Sequence, residues 1–100
     1  MYVRTTSARF HPGTTAEALS IFRDLMLPHA QRQPGFRGAL VAQTPGSEQG
    51  IIMTFWATEA ELRASGPPPE IAPHTARFGD LIEHATQEIY EVVLHTMVPE

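Results

Sequence analysis

The 100 residues carry 7 basic against 11 acidic side chains, a net charge of -4, with 42% apolar residues and no cysteine. A chain of this length is sized for one domain, 1–100, with one core, and self-association would add to its modest stability margin. The acidic balance argues against a nucleic-acid binder, which needs clustered cations, and the lack of cysteine excludes a disulfide framework, a thiolate zinc site and a cysteine nucleophile.

From Tyr2 to Phe10, Val, Thr and aromatic residues alternate with polar ones and end at His11-Pro12-Gly13, which predicts a first strand and a turn. The stretch holds no long apolar run, so neither a signal peptide nor a membrane span is expected, and the expected location is the cytoplasm. Thr14 and Glu17 have capping-box spacing and start a helix. Its stripe of Ala18, Leu19, Phe22, Leu25, Met26, His29 and Ala30 should face the core, with Leu19 and Phe22 as anchors. Pro28 should kink this helix or end its regular part near Leu27.

Pro34-Gly35 returns the chain into a second strand, 36–44, and a polar loop over 45–50 leads to a third, 51–57. Strand three is largely apolar on both faces, with Ile51, Met53 and Phe55 on one and Ile52, Thr54 and Trp56 on the other. Helices cover one side only, so the other face should be buried by a second copy of the chain about a two-fold axis.

Thr58 and Glu61 repeat the capping box ahead of a short helix toward Ser65-Gly66, and Pro67-Pro68-Pro69 should form a stiff, extended crossing. Phe78, Leu81, Ile82 and Ala85 give the stripe of a third helix ending near His84, and Thr86 to Val98 should close the chain as a long strand. The order β-α-β-β-α-β predicts an α+β, ferredoxin-like antiparallel sheet with helices on one face.

No phosphate-binding glycine loop, nucleophile elbow or H-E-x-x-H is present. His11, His29, His74, His84 and His95 lack metal-ligand spacing, so no metal site is expected. Glu17, Asp24, Glu59 and Glu61 read as capping or solvated carboxylates. Trp56, at a strand end, is either a core anchor or a platform for a ligand. His74 follows Pro73 near the start of the third helix, where it is either a half-exposed helix-start histidine or within reach of a cleft between helices and sheet.

The element order, with Ala8-Arg9-Phe10, Pro34-Gly35-Phe36 and Phe55-Trp56-Ala57-Thr58-Glu59, resembles the antibiotic biosynthesis monooxygenase domain family over almost the whole chain. The resemblance implies a dimeric α+β barrel in which two sheets pack face to face and each subunit holds a cleft between its sheet and helices. Members that oxidise polycyclic aromatics without metal or flavin are similar at Trp56. Ile52 and Leu62 stand where those enzymes have Asn and Tyr, and their cleft Arg lies near Arg77. Haem-degrading members have an Asn at the position of Ala8 and a Trp near Ser65-Gly66, and share only His74. The donors that remain are Trp56 Nε1–H, Arg77, His74 and Tyr90.

The function these residues imply is that of a cofactor-independent, monooxygenase-like protein acting on a small planar aromatic or quinol. Trp56 would position the ring, His74 or Arg77 would supply charge or a proton, and Phe22, Phe78 and Tyr90 would contact the substrate. Trp56, His74 and Arg77 should then surround one pocket between the third helix and the sheet, rimmed by Phe22 and Phe78. A non-catalytic dimer that binds an apolar small molecule, or a stress-related accessory protein, is the alternative. Haem binding through His74 is a third reading, since one histidine suffices to ligate haem.

Overall fold

A computed structural model of the chain describes residues 1–98. Four strands, β1 (Tyr2–Phe10), β2 (Phe36–Gln43), β3 (Gln49–Trp56) and β4 (Ile82–Glu91), form one antiparallel sheet in the order β2-β3-β1-β4. With the helices between them, this is the ferredoxin-like arrangement that the element order predicts.

The first helical segment runs as α1 (Thr15–Ile21), a π-helical turn (Phe22–Met26) and α2 (Leu27–Gln31). Pro28 has no N–H to give the preceding turn, and its ring crowds the carbonyl four residues back. The segment does not end at Leu27. The wider π turn sits just before the proline, and α-helix resumes at Leu27. Gly35 then turns the chain at φ 81°, and a Cβ there would strike the Glu61 side chain.

The two capping boxes behave differently. Thr58, at the start of α3 (Glu59–Ala64), accepts the Glu61 N–H at 3.1 Å. Thr14 makes no such bond: its hydroxyl donates to the His11 carbonyl at 2.7 Å, and Glu17 is drawn to Arg77 instead. Pro68 is extended as expected, whereas Pro69 opens a short 3-10 turn (Pro69–Ile71) leading into α4 (Ala72–Asp80).

The end of the chain departs from its pattern. The helix stops at Asp80 and β4 begins at Ile82, because Ile82 pairs with Phe10 and, past a bulge at Glu83, each residue from His84 to Glu91 has a ladder partner in β1. Pairing runs out at Tyr2 opposite Glu91, so residues 92–98 are not strand, apart from one bond from Val92 N to Met1 O at 2.8 Å.

Ala8 and Phe10 of β1 pack with Ala18, Ile21, Phe22, Phe78 and Leu81, and Ile52 leans on the same cluster. The Phe10 and Phe78 rings meet edge to face at 6.1 Å. Leu19 is not an anchor: it lies over β2, an edge strand, and stays 44% exposed. By alternation, Ile51, Met53 and Phe55 face away from the helices, opposite Ser7, Thr5 and Val3.

Candidate active site

The helix-facing side of the sheet carries Arg4 and Thr54 as neighbours across β1 and β3, and Tyr2 and Trp56 as the next pair on the same face. Trp56 is 2% exposed and meets Phe36 edge to face at 5.5 Å. Its indole N–H donates to Thr54 Oγ1 at 3.0 Å. The Trp56 donor is therefore already engaged, and the Thr54 hydroxyl, having accepted that bond, keeps its own proton to give.

Beside Trp56 lies a cavity of about 110 Å³ between this face and the helical segment, lined by Arg4, Phe22, His29, Thr54, Ser65 and Ile71 among others. At roughly 10–15 Å³ per water site, it displaces enough water for a one- or two-ring planar molecule. Arg4 donates from Nη1 to Ser65 Oγ at 3.2 Å and from Nη2 to the Leu62 carbonyl at 3.1 Å. Partial burial lowers its pKa from the usual arginine value. Gln33 closes one rim, donating to the Gly66 carbonyl at 2.9 Å and accepting the Gly66 N–H at 3.2 Å.

His74 and Arg77 are not in this cavity. Both are exposed on α4, and Arg77 holds Glu17 through bonds of 2.7 and 2.9 Å. The Arg77 guanidinium beside Glu17 keeps that carboxyl below its usual range. The expectation of one pocket shared by Trp56, His74 and Arg77 is thus corrected. The crossing places Pro67 and Ile71 in the lining of the Trp56 cavity, and α4 continues to the opposite end of the layer, where Phe78 packs on Phe10. Phe22 walls the Trp56 cavity and also a smaller one of about 40 Å³, while Phe78 lines only the smaller. Tyr90 pairs with Val3 on the sheet's other face, is 50% exposed and donates to Glu88 at 3.1 Å.

Arg4, His29, Thr54 and Gln33 were not among the predicted site residues. The sequence carried one signal for them: His29 stands on the otherwise apolar stripe of its helix. Ile52 is half-buried against the core and Leu62 is 0% exposed, so neither position offers a donor. The cavity is smaller than the roughly 300–1,000 Å³ of larger ligand sites, and His74 does not line it, so its residues do not fit a haem with His74 as axial ligand. Among the described residues, no group of three or more His, Asp or Glu side chains is placed to hold a metal ion. Among the described residues, no helix is long and apolar enough to cross a membrane.

Residues 1–66 match the family model described as antibiotic biosynthesis monooxygenase. Among solved structures, the chain is similar to SnoaB, a cofactor-independent oxygenase from Streptomyces nogalater, at 19% identity and a TM-score of 0.79, covering 99% of this chain and 97% of that one. It is also similar to the heme-degrader MhuD from Mycobacterium tuberculosis, solved with two hemes in its active site, at 23% identity and a TM-score of 0.75, covering 97% of this chain and 100% of that one. No curated protein matches the chain.

Proposed function

The chain belongs to the antibiotic biosynthesis monooxygenase family, and from that premise we propose that it takes a small, planar, oxidisable aromatic or quinol into the Trp56 cavity and oxidises it without a bound cofactor. The observation that carries this reading is the cavity itself, which sets the aromatic walls Phe22 and Trp56 beside the donors Arg4 and Thr54. Aromatic walls hold a flat ring and exclude water, and donors favour its ionised, electron-rich form. With an anthrone, a ring methylene and O2 give a ring carbonyl and water; with a quinol or catechol, O2 takes up two electrons and two protons from the substrate and gives the quinone and hydrogen peroxide. Oxygen uptake with a panel of quinols, catechols and anthrones tests it. Protein-dependent uptake should fall at least about tenfold in Ala30→Phe, which fills the cavity. Uptake no faster than in buffer would overturn turnover.

Ile52 and Leu62, in place of donors, favour a second reading, a protein that binds the same ligand without turning it over. Binding without oxygen uptake selects it. A shifted Soret band on mixing with haem would instead select haem binding.

The working unit in this reading is a two-fold dimer. Support comes from the sheet face carrying Ile51, Met53 and Phe55, which no helix of the same chain covers, and from the tail, where Val93 and Val98 are each 88% exposed and Leu94 is 83% exposed. Light scattering should give twice the chain mass at micromolar concentration, and Phe55→Asp should give the monomer. Monomer mass for the parent would sink the dimer.

A further inference from the structure

The oxidation reading leaves open what chemical group the ligand presents, and the cavity's hydrogen-bonding inventory is one-sided. Four of the chain's seven arginines sit beside carboxylates: Arg9 with Glu83, Arg23 with Asp24, Arg63 with Glu59 and Arg77 with Glu17. Those pairs stand on the surface, where solvent screens them. Arg4 is drawn partly out of solvent into the wall of a cavity, and among the described residues no carboxylate lies within ion-pair distance of it. Its two protein partners, Ser65 Oγ and the Leu62 carbonyl, are neutral, and a guanidinium has five N–H donors. Partly burying a cation without an anion is unfavourable, and a bound anion relieves that cost. Across the strand pair, Thr54 accepts the Trp56 N–H and has a proton left to donate. The cavity therefore offers a cation and a hydroxyl donor with no negative side chain in its lining.

We propose that Arg4 is the anion seat of the Trp56 cavity, that Thr54 is its second donor, and that the ligand presents an ionised oxygen, as a phenolate, enolate or carboxylate, on a planar ring. The proposal rests on the reading of this cavity as the ligand site. His29, in the same lining, takes the proton when the ligand arrives as a neutral phenol or enol: the O–H bond breaks, the proton passes to a ring nitrogen, and the oxyanion stays with Arg4. A charge-assisted contact of this kind gives a clear preference for the anion over a neutral ligand of equal shape.

Trp56 is the only tryptophan, so its fluorescence reports on this cavity alone. The full chain is titrated with 2-hydroxy-1,4-naphthoquinone, a vinylogous acid that is ionised at neutral pH, and with its neutral methyl ether, following Trp56 quenching. The anion should bind at least about tenfold more tightly than the ether. Arg4→Gln should bring the two within about twofold of each other, and Arg4→Lys should keep part of the preference. If Arg4→Gln does not fold, Arg4→Met, an apolar side chain of similar length, reads the same ratio. Equal affinity of the parent for both probes, or a preference that survives loss of the guanidinium, overturns the anion seat and leaves the cavity reading standing. Quenching by neither probe overturns both.

Discussion

The two ends of the layer between sheet and helices are built by the same elements and do opposite things. At one end β1 contributes Ala8 and Phe10, the first helix contributes Ala18 and Ile21, and α4 contributes Phe78, and these close into a packed core. At the other end β1 contributes Arg4, the helical segment contributes His29, the turn after it contributes Gln33, and β3 contributes Thr54 and Trp56, and these surround a hollow. Phe22 stands between, in the wall of both cavities. The difference lies in residue type at equivalent places on the same faces. Apolar side chains at one end exclude water and hold the fold together, while polar ones at the other leave room that a ligand can fill.

The strongest way to break this contrast is to cut into each end and compare. Phe78→Ala, at the packed end, should cost about 3–5 kcal/mol in denaturant unfolding while the Trp56 emission of the folded variant stays that of the parent. An unchanged midpoint would mean that the core is not where it is drawn here. Trp56→Phe should cost less, about 1–3 kcal/mol followed by circular dichroism, since a ring remains against Phe36 and only the indole bond to Thr54 is lost. A loss as large as that of Phe78→Ala would make the hollow a second core. His29→Ala should fall within about 1 kcal/mol of the parent and yet alter Trp56 emission, because it enlarges the hollow without opening the core.

The smallest effect concerns the surface bond over the packed end, between Glu17 and Arg77. Chiefly through the hydrogen bonds from Arg77, the folded-state pKa of Glu17 lies below its unfolded value, which is about 4.3. The stabilisation is therefore present above the unfolded pKa and lost as pH falls through the folded one. Glu17→Gln should lower the denaturant midpoint slightly at neutral pH, and the difference should vanish on acidification below the ordinary carboxylate range. A difference that grew in acid would reverse the assignment.

What could be read beforehand divides along the same line. Periodicity placed β1, the helix faces around Phe22 and Phe78, and the ferredoxin-like order, because alternation and helical stripes are local and repeat over several residues. The second capping box was legible for the same reason, its two residues being three apart in one turn. The first failed because Glu17 has a competing partner sixty positions away in Arg77. The limits of β4 were hidden because they are set by where β1 ends. Arg4 looked like one more polar member of an alternating strand, and only the register against Thr54 and the position of Ser65 show that it faces inward. The family likeness pointed to Trp56 and also to His74 and Arg77, since a linear motif cannot tell where the proline crossing sets α4 down.

The π-helical turn over Phe22–Met26 has a consequence for engineering the chain. A π turn amounts to one residue inserted into an α-helix. Removing a single residue from it would restore an uninterrupted α-helix and leave the faces on either side where they are, because the turn already absorbs the extra residue. Phe22 would keep its place between the two hollows and His29 its place on the cavity wall, whereas the same deletion made at the start of α2 would turn the residues beyond it by about 100°. The π turn is thus the one place in this helix where a codon can be lost without moving the cavity wall.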